Sequence, residues 1–137
     1  RDGESLLPIL LQNKNALKDR ALFWHFPAYL QSYQRIDGQR DLLYRSRPCS
    51  IIRHGRWKLH QYFEDGAIEL YDLENDISES QNLAIRNPEK ANELLSELRT
   101  WQSEINAPVP TKRNPRYDPA AEAEALQNLQ TKQRKKK

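Results

Sequence analysis

The sequence predicts an α+β fold: a small antiparallel sheet of about four strands packed against one amphipathic helix, followed by a disordered basic tail. Three observations predict it. Residues 49–73 alternate in strand fashion around two short glycine-bearing turns. Residues 88–106 carry apolar side chains at steps of three and four. "ALFWHF" is a compact apolar and aromatic run that stops at Pro27.

The elements follow in order. "ESLLPILLQ" is short and apolar, with Ser5 as a cap. It reads as one or two helical turns or a docking strap. "ALFWHF" is too short and too aromatic for a helix and reads as a buried strand. Residues 28–46 are polar, with scattered tyrosines and Gly38, and read as a long loop of the kind that often serves function. "CSIIRH" is a strand, and Gly55-Arg56 makes a tight turn. "WKLHQYF" puts Trp57, Leu59, Gln61 and Phe63 on one face and Lys58, His60 and Tyr62 on the other. "EDG" is a hairpin turn because Asp and Gly accept positive φ. "AIELYDL" completes a meander, to which "ALFWHF" adds a fourth strand.

"ENDISESQNLA" is a turn. Asn87-Pro88-Glu89 then starts a helix: cap, Pro at the first position, and an acid at the positive end of the dipole. Its stripe is Ala91, Leu94, Leu95, Leu98, Trp101 and Ile105, and the sheet is the surface that would bury it. "APVPTKRNPRYDP" holds four prolines in 13 residues and is irregular. "AAEAEALQNLQTKQRKKK" is expected to form a frayed helix with a disordered end. The expected division is 1–20 as linker and short helix, 21–118 as the folded subdomain, and 119–137 as frayed helix and tail.

The bulk numbers limit function. The chain has 137 residues, 37% hydrophobic and 30% charged, enough for one modest core. No apolar run is long enough to span a bilayer, so no membrane partner is expected. The net charge of +3 comes from the tail, where "KQRKKK" holds five basic groups. Without those five, 17 basic residues face 19 acidic ones. A nucleic-acid partner is therefore not expected. The chain has no methionine and begins at Arg1, which suggests a piece of a longer protein. A missing signal peptide is then uninformative. One cysteine forms no internal disulfide and no four-ligand cysteine zinc site.

Four candidates for chemistry stand out. Cys49 is followed by Arg53, His54, Arg56 and Lys58. In a strand, though, Arg53 lies about 13 Å along, so the basic sequence makes no basic pocket. A small buried residue is the reading preferred. His25 ends a strand beside the long loop, where sites are often built; the alternative is a histidine satisfied by the backbone or facing solvent. His54 and His60 read as exposed-face residues of the hairpin. "DLENDISES" has the acids of a calcium loop, but Ile77 stands where an EF-hand needs Gly and Leu83 where it needs Glu, so it reads as a turn of Asx-type bonds.

The order of segments carries more. "DGESLLPILLQ", "ALFWHFPAY", "RPCSIIRHGRWKLHQYFEDGAIELYDLENDISESQNLA" and "NPEKANELLSELRTWQSEINAPVPT" together resemble the C-terminal end of type I, formylglycine-dependent sulfatases. Bacterial arylsulfatase-like enzymes acting on sulfated carbohydrates are the most similar. The resemblance covers about residues 2–118. "LFWHFP", "IRHGRWKL" and "ELYDLENDISESQNLA" are its most specific parts; the family usually has Pro and Gly where this chain has Ile77 and Ser78.

The resemblance implies a large N-terminal α/β domain, outside this chain, above a C-terminal four-stranded sheet and helix. It implies sulfate-ester hydrolysis. A Cys or Ser of a C/S-x-P-x-R motif becomes formylglycine, and a calcium ion held by Asp and Asn neutralises the sulfate. "CSIIR" has Ile51 where that motif needs Pro and lies in the wrong part of the chain. No catalytic residue, no metal ligand and no cofactor is therefore expected here; formylglycine and calcium belong to the N-terminal domain. His25, Tyr29 and Arg47 flank the long loop and are the expected contacts to a sulfated carbohydrate, Arg47 as a bidentate anion ligand. The expected partners are the N-terminal domain and that carbohydrate. The alternative is a non-catalytic module for carbohydrate or partner binding. The resemblance implies a periplasmic or extracellular location.

Overall fold

A computed structural model describes residues 7–11, 19–31, 40–112 and 114–134 of the chain. Sheet formation starts locally. β4 (Cys49–His54) and β5 (Trp57–Tyr62) pair antiparallel around Gly55, whose φ of 57° only glycine adopts freely. β5 turns at Gly66 (φ 69°) into β6 (Ile68–Asp72). β1 (Leu22–Phe26) comes from further away and pairs with β4, giving the order β1-β4-β5-β6. The predicted four-stranded antiparallel sheet is present.

Register decides which side chains meet. Ile52 lies opposite Leu59, and Leu59 opposite Leu70. All three are fully buried under α2 (Pro88–Glu104), which contributes Ala91, Leu94, Leu95 and Leu98. Phe23 of β1 stacks on Trp101 of α2 with ring centroids 4.7 Å apart. Gln102, one position past Trp101, is also buried and donates to Gln61 Oε1 at 3.0 Å, so a polar pair closes this layer without leaving that amide stranded.

Three local expectations give way. Ile105 caps the helix instead of extending its stripe and is half exposed, because helical geometry ends at Glu104. Asn87 occupies the cap position, but its side chain makes no cap hydrogen bond. The expected loop 28–46 contains two short strands, β2 (Leu30–Gln31) and β3 (Tyr44–Ser46), paired antiparallel as a ribbon. These strands are too short for a periodic signal, and their pairing is non-local. Gly38 and the rest of 32–39 lie outside the described residues, as do Ser5 and 135–137 of the basic tail. The short helix α1 spans Leu7–Leu10, and α3 spans Pro119–Arg134. Asp118 caps α3 by accepting from the backbone N–H of Ala120 at 2.9 Å.

The turn after β6 is built from side chains. Arg56 donates to both oxygens of Asp72, which also accepts from Asn75. Asp76 accepts from Ser78 Oγ and Ser80 Oγ at 2.9 Å and from the Gln81 N–H at 2.8 Å. The expected Asx-type turn is therefore present, with both carboxylate oxygens of Asp76 occupied. Asn82 then accepts from the Leu70 N–H, and the Leu83 N–H donates to Leu70 O at 2.8 Å. These bonds cover the free edge of β6.

Two outcomes follow. Leu98→Ala should cost about 3 kcal/mol in urea denaturation, as expected for a fully buried leucine. Ile105→Ala should cost less than about 0.5 kcal/mol; equal losses would contradict the observed helix end. The donors around Asp76, first the Gln81 N–H, hold its carboxyl at about 2 against an ordinary 3.8. Its contribution is complete above about pH 3.8 and is lost as pH falls through about 2. The melting temperature of Asp76→Asn should therefore lie below wild type at neutral pH, and the gap should close over that window. A constant gap would show that Asp76 acts through something other than its charge.

Candidate functional site

Residues directly opposite in neighbouring strands share a face of the sheet. The face away from α2 therefore carries Leu22, Trp24 and Phe26 of β1, then Cys49, Ile51 and Arg53, then Lys58, His60 and Tyr62, then Glu69 and Tyr71. Cys49 and Ile51 of β4, His60 and Tyr62 of β5, and Glu69 and Tyr71 of β6 form the floor of an open cleft of about 660 Å³. Arg40, Asp41, Arg45, Ser46 and Arg47 wall it on the ribbon side, and Ser78–Ser80 and Asn82 on the turn side.

Two carboxylates organise the floor. Glu69 accepts from the Tyr62 and Tyr71 hydroxyls, each at 3.0 Å, and from Arg40 at 3.1 Å. Arg40 also pairs with Asp65 and lies over the Tyr62 ring, 4.1 Å from its centroid. Burial, then the Glu69 charge, pushes both phenols well above their usual range, so they remain donors. Glu79 is the second hub. It accepts from Lys58 Nζ at 2.6 Å and lies 3.1 Å from His60 Nε2. It does so from a left-handed backbone (φ 55°), costly for a residue with a Cβ. Burial and then the Lys58 ammonium lower the basicity of His60, while Glu79 opposes them. The neutral ring donates its Nε2–H to Glu79.

His60 therefore departs from the expected exposed position: only 13% of its side chain is accessible. His54 departs as well. It lies on the helix side of the sheet, with Nδ1 3.0 Å from Glu97 of α2. Alternation assigned the faces, but α2 and the 73–82 turn decide what covers each one. Cys49 is buried as expected, 3.7 Å from Ser46 Oγ, and burial pushes its thiol up.

The three expected substrate contacts do not form one cluster. Arg47 lines the cleft, but its guanidinium is engaged by Asp41, Glu64 and Glu122, the last at 3.1 Å. Tyr29 is half exposed, with its ring 4.8 Å from Tyr44, and burial and then Glu64 push its phenol up. Tyr29 and Arg47 thus converge on Glu64. His25 faces the α2 side. Its Nδ1 lies 2.7 Å from Ser50 Oγ and its ring 5.7 Å from Phe63, while its buried Nε2 has no partner among the described residues.

Sequence reasoning missed Arg45, an exposed arginine of β3 on the cleft wall with no carboxylate partner among the described residues. It also missed Arg40, Glu69 and Glu79. The alternation of "AIELYDL" places Glu69 with Tyr71 and was the one local signal available. The state of Cys49 can be checked directly: in the folded chain it should react slowly with a thiol reagent at pH 8, reaching the unfolded-chain rate only in denaturant. Fast labelling of the folded chain would show an activated thiol.

No protein-family model matches the chain. Over 119 residues it is 34% identical to a sulfatase of Formosa agariphila, a match covering 79% of this chain and 19% of that protein. In fold it resembles a solved 2-O GAG sulfatase, with a TM-score of 0.57 and 22% identity over 84% of this chain and 23% of the other. It also resembles a candidate sulfatase from Bacteroides thetaiotaomicron, with a TM-score of 0.52 at the same identity and coverage. The chain spans about a fifth of the length of these relatives. The extended sequence match and the shared α+β architecture together place this chain in the sulfatase family, as a C-terminal portion of such a protein.

Proposed function

We propose that the chain is the C-terminal subdomain of an enzyme that hydrolyses sulfate esters of a carbohydrate, with its nucleophile and metal in an N-terminal domain outside these residues. The sequence match to the Formosa agariphila sulfatase carries this reading. The 2-O GAG sulfatase among the structural neighbours supports the substrate class. The chemistry on this chain is consistent with the division. Cys49 is buried with a raised pKa, the opposite of an activated nucleophile. The carboxylates of the 72–79 turn are committed, Asp72 to Arg56 and Asn75, Asp76 to its turn, and Glu79 to Lys58 and His60. They do not fit a calcium ion.

In this reading the open face borders the substrate. Arg45 and Tyr29 are exposed enough to meet a sulfated sugar directly. Arg47 holds the ribbon, the Glu64 corner and α3 together, and contacts a sulfate only by releasing a carboxylate. The His25 Nε2 is buried on the α2 side and meets a substrate only if its cover shifts. Export to the periplasm or beyond the cell belongs to the same proposal.

In the intact enzyme, Arg45→Ala should raise KM for the sulfated carbohydrate about tenfold with kcat little changed. That corresponds to roughly 1.4 kcal/mol for a charge-assisted contact. His25→Ala should also raise KM. Unchanged kinetics in Arg45→Ala would remove the open face from the substrate site, and unchanged kinetics in His25→Ala would remove His25, which lies on the α2 side. A native polypeptide without sulfatase activity would leave a non-catalytic binding module.

A further inference from the structure

Charge is divided unevenly along the chain. Residues 107–137 hold eight basic and three acidic side chains, a net of +5, while residues 1–106 hold fourteen and sixteen, a net of −2. The basic groups fall in two runs, "KRNPR" at 112–116 and "KQRKKK" at 132–137. α3 stands between them, and its 16 residues span about 24 Å at ~1.5 Å per residue. In the first run Lys112 and Arg116 are exposed, and their charged groups have no partner among the described residues. The acids between the runs are mostly engaged. Glu122 is held by Arg47 and Tyr117, and Asp118 caps the helix, which leaves Glu124. Such an excess of one sign, concentrated on one segment, is a surface for a polyanion.

Two kinds of polyanion fit this segment poorly. Single-stranded nucleic acid needs aromatic faces for its bases, and the one aromatic residue here, Tyr117, has its hydroxyl tied to Glu122. A lipid surface needs a wide apolar helix face. The apolar positions of α3 at this face are Ala125, Leu126 and Leu129, already half-buried in line with Glu122. A sulfated polysaccharide needs neither. Its charges repeat along a flexible chain, so one polymer can meet both runs at once.

We propose that the two basic runs flanking α3 form an electrostatic exosite that grips a polysulfated carbohydrate chain outside the cleft. The inference rests on the function proposed above for the identity of the polyanion and adds a second point of contact to it. Because Glu122 joins α3 to Arg47 on the cleft wall, a polymer held along α3 is kept near the cleft, at a raised local concentration. A substrate too short to reach both runs gains nothing from them.

The test uses the intact polypeptide and dextran sulfate as the probe, with unsulfated dextran, DNA and anionic vesicles alongside. One variant replaces the five basic groups of 132–137 with serine; the other is Lys112→Ser/Arg116→Ser. Neither removes a core side chain, so both should melt like wild type. Each should bind dextran sulfate about tenfold more weakly at about 0.1 M salt, with a shallower salt dependence, because fewer counterions are released. A sulfated disaccharide should bind wild type and variants alike. Equal affinity of wild type and both variants for dextran sulfate would overturn the exosite. So would a loss of affinity for DNA or vesicles as large as the loss for dextran sulfate, since the runs would then recognise charge on another class of partner. Hydrolysis separates this inference from the reading it rests on. A polypeptide that cleaves sulfate esters but binds the polymer independently of the runs would overturn the exosite alone. One that binds the polymer through the runs but cleaves no sulfate ester would keep the exosite and remove the sulfatase activity.

Discussion

One rung of three side chains carries the fold. Ile52, Leu59 and Leu70 stand side by side across β4, β5 and β6, and each is fully buried beneath Leu94 and Leu98 of α2. Each such side chain contributes about 1.5–3 kcal/mol when removed from water. The rung also sets register. Slipping one strand by a single residue would turn Leu59 outward and bring Lys58 or His60 under the helix, burying a polar or charged group against leucine. With this rung in place, every other residue of the sheet is assigned to the helix side or the open side.

The open side is governed by electrostatics. Arg40, Arg47, Lys58 and His60 face Asp41, Glu64, Glu69 and Glu79 across short distances, and two tyrosine hydroxyls complete the donors around Glu69. Partly buried charges persist only where partners offset their lost hydration. The same networks tie distant segments together. Arg47 joins the ribbon, the corner after β5 and the start of α3, and Glu79 pins the 73–82 turn to β5. The left-handed backbone at Glu79 is tolerated because the Lys58 ammonium and the neutral His60 ring hold its side chain there.

This division suits a part of a larger protein. The helix side is closed, with aliphatic and aromatic packing and polar pairs around it. The open side presents an apolar row on β1 and a polar cleft that begins at the adjacent strand, β4.

Much of the fold was legible in the sequence because its signals are local. Alternation in "WKLHQYF" sorted the two faces, the glycines at 55 and 66 located the turns, and Ala91, Leu94, Leu95 and Leu98 marked the buried helical stripe. The order of segments also indicated the sulfatase family, which no single residue could do. The site was less legible. Arg45 and Arg47 look alike in "YRSRP", yet one is exposed without a carboxylate partner among the described residues and the other is held by three carboxylates, one of them 75 residues away. The histidines show the same limit: His60 is buried by a turn that returns 19 residues later, and His54 meets α2 43 residues later. Sequence pattern determined the strands, the helix and the sides of the sheet, because backbone geometry repeats over two to four residues. Tertiary structure alone decided which charged groups were neutralised and which stayed available, because those pairings join residues that only folding brings together.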